Sequence, residues 1–444
     1  MFHAIYLYRN YWMIKYIACV IMLIVAWILW PVYEFYAYRG KTEFPPFYQF
    51  IDIPSERPTS QFLGNVHYKA PGDAVLELAS THQQKINAPA ISIAVAMNGQ
   101  VVWAGASGWA DIEEKVPVTT NTQFRIGSTS KALTSIGLAR MVDLNHLDID
   151  APISQYFEDL PNPNWASMSA RNLASHTSGL PHYKENTDKL GMYQTVALST
   201  HYDNVVDALA VFDDSELLFA PGADFSYSTF GTVLLSAVMQ KASNVSYLSW
   251  MKQQVFSPLG TDATTAEFDN PTPESLATFY WNDQGRSTQV RQWRSVDLSH
   301  RLAGGGFVST PSDLVRLGSA FLDSQFISAE TRELFWRARA LPNGDMPPYD
   351  YAVGWRTISL NLGESIGKVR AVNHGGVSRG AQSWLMVLPE FDMAVAFNIN
   401  ANTDVFGDSS RISWDIAKIF IETKQRIDDA NHTSTTKEEM LAVN

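Results

Sequence analysis

Two hairpin signals, set far apart along the chain, constrain the fold more than any other feature. Ala90-Ile91-Ser92-Ile93-Ala94-Val95-Ala96-Met97 reads as a strand, Asn98-Gly99 as a turn, and Gln100-Val101-Val102-Trp103-Ala104 as the returning strand. Asn-Gly supplies two residues that tolerate positive φ, which a tight antiparallel turn requires. Nearly three hundred residues later, 382–388 and 393–400 flank Pro389-Glu390-Phe391-Asp392 in the same way. Strands at both ends with helical patterns between them predict an α/β fold of the α+β type. One antiparallel sheet is completed by both ends of the chain and flanked by helices, and residues 125 to 300 form a mostly helical lobe against it. A further helix is expected over 410–423.

The N-terminal region has a different character. Residues 16–33 carry no charge and are strongly apolar, approaching the ~20 residues that a spanning helix needs. Tyr11, Trp12 and Tyr16 on one side, with Trp30, Tyr33, Phe35, Tyr36 and Tyr38 on the other, form a pattern of interfacial aromatics. No small-residue cleavage site closes the run, so an uncleaved anchor is expected at 16–36, after a short 1–15 segment. Arg9 and Lys15 before it balance Arg39 and Lys41 after it, so charge alone does not orient the helix. Residues 37–73, with Pro45, Pro46, Pro54, Pro58 and Pro71, read as a stalk or a strap on the surface of a domain spanning 74–424. A polar tail without fixed structure is expected over 425–444.

Composition removes several classes. A net charge of −12 leaves no basic surface to neutralise phosphates, which excludes a nucleic-acid partner. Cys19 is the single cysteine, so there is no intramolecular disulfide and no cysteine nucleophile in the domain. No Gly-x-Ser-x-Gly, His-Glu-x-x-His or Walker A motif occurs, and neither a metal nor a cofactor is expected.

The chemical signal is Ser128-Thr129-Ser130-Lys131, which leads into the helix-like run 132–141. Three residues of helix bring Lys131 onto the face of Ser128, one turn along. A lysine there can share in removing the serine proton, and the helix N-terminus favours the alkoxide. Two further elements follow in order. The first is Pro221-Gly222-Ala223-Asp224-Phe225-Ser226-Tyr227-Ser228-Thr229-Phe230-Gly231, and the second is His374-Gly375-Gly376-Val377 before a strand-like run. This order resembles the Ser-x-x-Lys, Tyr-x-Asn and Lys-Thr-Gly motifs of the serine β-lactamase and penicillin-binding-protein superfamily. Flanking phrases such as Leu173-Ala174-Ser175-His176-Thr177-Ser178-Gly179-Leu180-Pro181 and Ala303-Gly304-Gly305-Gly306-Phe307 are similar to its class C-related branch.

The resemblance implies a serine nucleophile at Ser128, with Lys131 and Tyr227 sharing the role of base. Thr229, His374, Gly375 and Gly376 would contact substrate, and the Ser128 and Val377 amides would form the oxyanion hole. Thr229 stands where asparagine is usual, and His374-Gly375 where lysine-threonine is usual. Both changes remove groups suited to the amide and carboxylate of a β-lactam, so a peptide or ester substrate is expected. A carboxylesterase or a β-lactamase is the alternative. His176 reads as structural. The resemblance also implies an extracytoplasmic catalytic domain and self-association, since mitochondrial relatives form filaments; a scaffolding protein is the expectation from another class.

Overall fold

The computed structural model describes residues 2–37, 49–270, 272–282, 288–403 and 406–442. Its centre is an eight-stranded sheet, antiparallel throughout. We label its longer strands β1 (Thr59–Leu63), β2 (Ala90–Met97), β3 (Gln100–Asp111), β4 (Arg356–Asn361), β5 (Lys368–Ser378), β6 (Ala381–Leu388) and β7 (Met393–Ile399). They run in the order β4-β5-β6-β7-β2-β3-β1, and Val116–Pro117 pairs with β3.

Both expected hairpins form. Asn98 and Gly99 hold φ of 50° and 70°, and Asp392 holds 46° in the second turn. The hairpins join along β7 and β2, with Met393 opposite Met97 and Ile399 opposite Ile91. The Asn98 amide donates to the Asp392 carbonyl at 2.8 Å, so the two turns lie together.

The strand sequences decide which face carries which layer. Ile91, Ile93, Val95 and Met97 point to one side of β2, and Ala94 and Ala96 to the other. β7 repeats the pattern, with Met393, Val395, Phe397 and Ile399 against Ala394 and Ala396. The period of two puts bulk on one face and leaves the other floored by methyl groups. Helices α2 (Lys69–Lys85) and α7 (Phe406–Ala442) cover the bulky face. The alanine floor admits α6 (Pro311–Ser319) and, beyond it, the lobe containing α3 (Ser130–Asp143) and α5 (Thr229–Ser243). α3 is buried on nearly every side, as a helix through the middle of a lobe must be.

Three features differ from the sequence reading. The strap contributes strands: β1 lies along β3, and Ile51–Asp52 pairs with Gln289–Val290; residues 38–48 of the expected strap lie outside the described residues. The last helix does not stop at 423. The backbone of α7 continues to Ala442, through most of the tail expected to lack structure, and its exposed turns carry i,i+4 pairs such as Lys424–Asp428 at 2.8 Å.

The third difference is at the N-terminus. α1 (Phe2–Ala37) contains the expected 16–36 segment and extends before it. Tyr11–Ala37 is, among the described residues, the one helix long and apolar enough to cross a membrane. Its last turns dock on the domain. Glu34 is buried and pairs with Arg294 Nε at 3.0 Å, and the Tyr193 hydroxyl of α4 (Lys189–Ala197) donates to the Ile28 carbonyl.

Trp103 ties several layers together. It is fully buried on β3, its ring lies 6.0 Å from that of Phe420 on α7, and its Nε1 donates to Gln61 of β1 at 2.9 Å. Trp103→Ala should cost about 3–5 kcal/mol, read as a lower midpoint in chemical denaturation; an unchanged midpoint would remove this residue from the core.

Candidate active site

A single 3-10 turn, Gly127–Thr129, runs directly into α3 and carries Ser128. Gly127 holds φ near +51°, and a Cβ on it would lie 2.6 to 2.8 Å from the backbone of Val377. The reverse contact is as close: a Cβ on Gly376 would fall 2.8 Å from the Ser128 amide nitrogen. Turn and strand β5 thus meet backbone to backbone, and each needs glycine at the crossing. The Ser128 and Val377 amides, expected as the oxyanion pair, belong to the two elements that meet here.

Lys131 stands one turn on and is 2% exposed. Its Nζ lies 3.3 Å from Ser128 Oγ, 3.1 Å from Thr229 Oγ1 and 2.7 Å from the Gly304 carbonyl oxygen. Burial holds its pKa well below the ordinary 10.5, and the charges of Arg301 and Arg356 push the same way. The cage suits either form of the amine: an ammonium donates to all three oxygens. In the neutral form its N–H bonds would serve the Gly304 carbonyl and Thr229 Oγ1, and its lone pair would be left for the Ser128 hydroxyl.

Tyr227 closes the cage from above, with Nζ of Lys131 4.9 Å from its ring centroid. Its phenol hydrogen-bonds Ser128, and burial pushes its pKa up to about 12. Ser228 caps α5 by accepting from the Gly231 amide, which fixes Thr229 at the first turn. The Thr229 hydroxyl is therefore turned to Lys131, where it orients the amine.

His374 is placed differently from expectation. It is fully buried on β5, and its Nδ1 lies 2.8 Å from the Gly375 carbonyl, which can only accept. Nδ1 therefore carries the proton, and Nε2 accepts from the Tyr351 hydroxyl at 2.9 Å. Burial, then the charges of Arg356 and Lys131, hold its pKa well below the ordinary histidine range. Both nitrogens are engaged inside the protein, and the ring stands behind the cavity wall rather than in it. Gly375 and Val377 line the cavity in its place.

The cavity has a volume of about 770 Å³ and is lined by Ser128, Tyr227 and Thr229 among others. Phe35 and Tyr36, from the end of α1, also line it, so the apolar helix supplies part of the wall. His176 is buried, with Nδ1 accepting from the Ser228 amide at 3.3 Å and its ring 4.2 Å from that of Tyr227.

Sequence reading missed several participants. His182 accepts from the Thr229 amide at 3.3 Å, and burial with the Lys131 charge lowers its pKa to about 3. Tyr351 and the Gly304 carbonyl likewise gave no chemical signal, although the Gly304-Gly305-Gly306 run marks a place of close approach.

A sheet completed by both chain ends, a helical lobe, and a serine–lysine cage at their seam are the architecture of β-lactamase-fold serine hydrolases. The chain belongs to the Beta-lactamase family, whose family model matches residues 76–415. The human mitochondrial serine beta-lactamase-like protein LACTB is 29% identical over 392 residues, covering 69% of this chain and 70% of that protein. Penicillin-binding protein 4* of Bacillus subtilis is 28% identical over 300 residues, covering 64% and 62%. Among solved structures, the D-amino acid amidase of Ochrobactrum anthropi superposes with a TM-score of 0.64 at 21% identity, covering 81% of this chain and 99% of that one. That last likeness bears on the fold.

The crossing at Gly376 yields a direct test. Its neighbours are backbone atoms that cannot move aside without shifting Ser128. Gly376→Ala should leave the protein folded and slow serine acylation by ~10²-fold or more, the scale on which an oxyanion donor acts. Unaltered acylation by a fluorophosphonate would show that the crossing does not position the serine.

Proposed function

We propose that the protein is a membrane-anchored serine hydrolase that forms an acyl-enzyme on Ser128 from a peptide or ester and releases it to water. The Lys131 cage carries this reading. A buried amine, depressed in pKa and 3.3 Å from Ser128 Oγ, is built to accept a proton from the serine. Ser128 Oγ attacks the scissile carbonyl as its proton passes to Lys131 Nζ. The carbonyl oxygen takes the negative charge beside the Ser128 and Val377 amides. Collapse breaks the bond to the leaving group, which receives the proton held by Lys131. Water then repeats the sequence on the acyl-serine.

Lys131 is the base in this scheme, and Tyr227 is the neutral partner. A phenol raised to about 12 stays protonated near neutral pH, whereas the lysine is pushed towards its neutral form. Acylation should therefore fall as acidification protonates Lys131, with a midpoint well below the ordinary lysine value. Tyr227→Phe should lower the rate and keep that midpoint. Loss of the midpoint in Tyr227→Phe would assign the base to tyrosine instead.

Thr229 accepts from Lys131 and lacks the amide an asparagine would offer, and Gly375 has no hydroxyl, which supports a peptide or ester over a β-lactam. Cephalosporin turnover should be weak beside that of a small activated ester. Labelling by a fluorophosphonate should map to the peptide containing Ser128 and vanish in Ser128→Ala; labelling that persists would end the assignment.

Placement at a membrane is supported by α1, whose apolar surface from Tyr11 onward is exposed until its end docks beside the cavity. On this reading the catalytic domain lies on the extracytoplasmic side, against the bilayer surface. The protein should stay in the membrane fraction through alkaline carbonate extraction and dissolve in detergent. Release by carbonate would remove the anchor from the proposal.

A further inference from the structure

α1 and α4 meet at the wall of the cavity that holds Ser128. Phe35 and Tyr36 of α1, Met192 and Val196 of α4, and Trp281 and Trp293 from the chain between α5 and α6 line the same space. At about 770 Å³ it lies in the upper part of the roughly 300–1,000 Å³ range of small-molecule sites. Four basic side chains also line it, and each is engaged within the protein. Lys184 pairs with Glu185 at 3.1 Å. Arg301 lies over the ring of Tyr183, Arg356 over that of Tyr349, and Arg379 over those of Phe35 and Trp293.

The two helices are tied together at this wall. Arg294 pairs through Nε with Glu34 of α1 at 3.0 Å, while its Nη2 donates to the Ala197 carbonyl at the end of α4 at 2.7 Å. The Tyr193 hydroxyl of α4 donates to the Ile28 carbonyl at 3.0 Å. Ile28 precedes Tyr33, the end of the uncharged run, by about 7–8 Å of helix. A chain that spans the bilayer through that run therefore brings α4 to the depth at which interfacial helices lie, about 5–10 Å into the boundary between headgroups and acyl chains.

The surface of α4 fits that depth. Leu190 is 67% exposed and Met192 42% exposed, although both are large and apolar. Leu190 stands one turn before Tyr193, on the flank that meets α1. Met192 is exposed outside and lines the cavity within, so apolar surface continues from the helix exterior to the space beside Ser128.

Resting on the reading of Ser128 as the acyl-forming serine of a domain anchored by α1, we propose that the substrate is a bilayer-resident long-chain ester. Its apolar chain enters between α1 and α4 and lies against Phe35, Tyr36 and Met192, while its scissile carbonyl reaches Ser128. Ser128 Oγ bonds to the carbonyl carbon, and the alcohol leaves with the proton passed through Lys131. Water then releases the carboxylic acid and restores the serine. Such a chain exchanges one hydrocarbon surrounding for another and need not cross water. A short, water-soluble ester fills less of the space and gains less from the wall.

The test uses the full-length protein at one fixed detergent concentration. 4-Nitrophenyl esters from butyrate to dodecanoate lengthen the acyl side, and alkyl acetates from butyl to dodecyl lengthen the leaving side. In at least one series kcat/KM should rise by roughly tenfold or more from four carbons to twelve, a small part of the about fourfold per methylene that full burial gives. Phe35→Ala and Tyr36→Ala should each cut that rise by about threefold or more. Partitioning into detergent is the same for every protein, so the change reports the wall. A rise absent from both series, or unaltered in both folded variants, overturns the proposal. If Phe35→Ala does not fold, Tyr36→Ala, at a position 50% exposed, decides. In phosphatidylcholine vesicles, Leu190→Glu should lower turnover of 4-methylumbelliferyl oleate several-fold relative to that of the soluble acetate; an unchanged ratio overturns entry between α1 and α4. Fluorophosphonate labelling keeps the two readings apart. If Ser128 neither labels nor turns over any ester, the acyl-serine reading has failed by itself. The methyl ester of a palmitate with a terminal diazirine, photolysed in vesicles with Ser128→Ala, then decides the chain site. Cross-links to Met192, Val196 or Trp293 support it, and cross-links that miss all three overturn it.

Discussion

The amine of Lys131 is the group around which this site is built. Taking an ammonium out of water costs several kcal/mol, and burial accordingly holds the Lys131 pKa well below its ordinary value while fixed polar groups surround the amine. Each partner comes from a different part of the sequence: Ser128 from the turn before α3, Thr229 from the first turn of α5, and the Gly304 carbonyl from the glycine run. The Ser228 cap and the His182 contact hold Thr229 in place. Helix starts, glycines and histidines that look unrelated in sequence therefore surround one buried amine.

The sheet supplies the rigidity this arrangement needs. Joining β7 to β2 closes a loop of about three hundred residues and places the two most apolar hairpins side by side. Two strands away, β5 presents Gly376 to the serine turn, and its backbone fixes one side of the cleft. The lobe fixes the other, because the alanine floor of β2 and β7 lets α6 sit close to the sheet. The serine is thus clamped between a strand and a helix, each with little freedom to move.

The end of α1 adds a third wall. A buried Glu34–Arg294 pair and the lining contacts of Phe35 and Tyr36 make the apolar helix part of the cavity as well as an attachment.

Much of this was legible in the sequence. The Asn98-Gly99 turn, the alternation in 90–97 and 393–399, and the Ser128–Lys131 spacing depend on local geometry that the chain carries with it. Those features determined the sheet, the helix start and the candidate nucleophile. Other outcomes were not local. His374 reads as a substrate contact because its strand position is right, yet Tyr351 and the Gly375 carbonyl claim both nitrogens. Tyr227 and Lys131 read as equal candidates for the base, and burial moves their pKa values in opposite directions. Arg301 and Arg356 look like ordinary basic residues until the fold turns them to a cavity that no carboxylate lines among the described residues. The polar tail reads as unstructured, whereas its backbone extends α7. The sequence by itself determined which backbone shapes form and which residues can react. Tertiary structure decided protonation, partnership and access, because desolvation and charge act through space between segments that are distant along the chain.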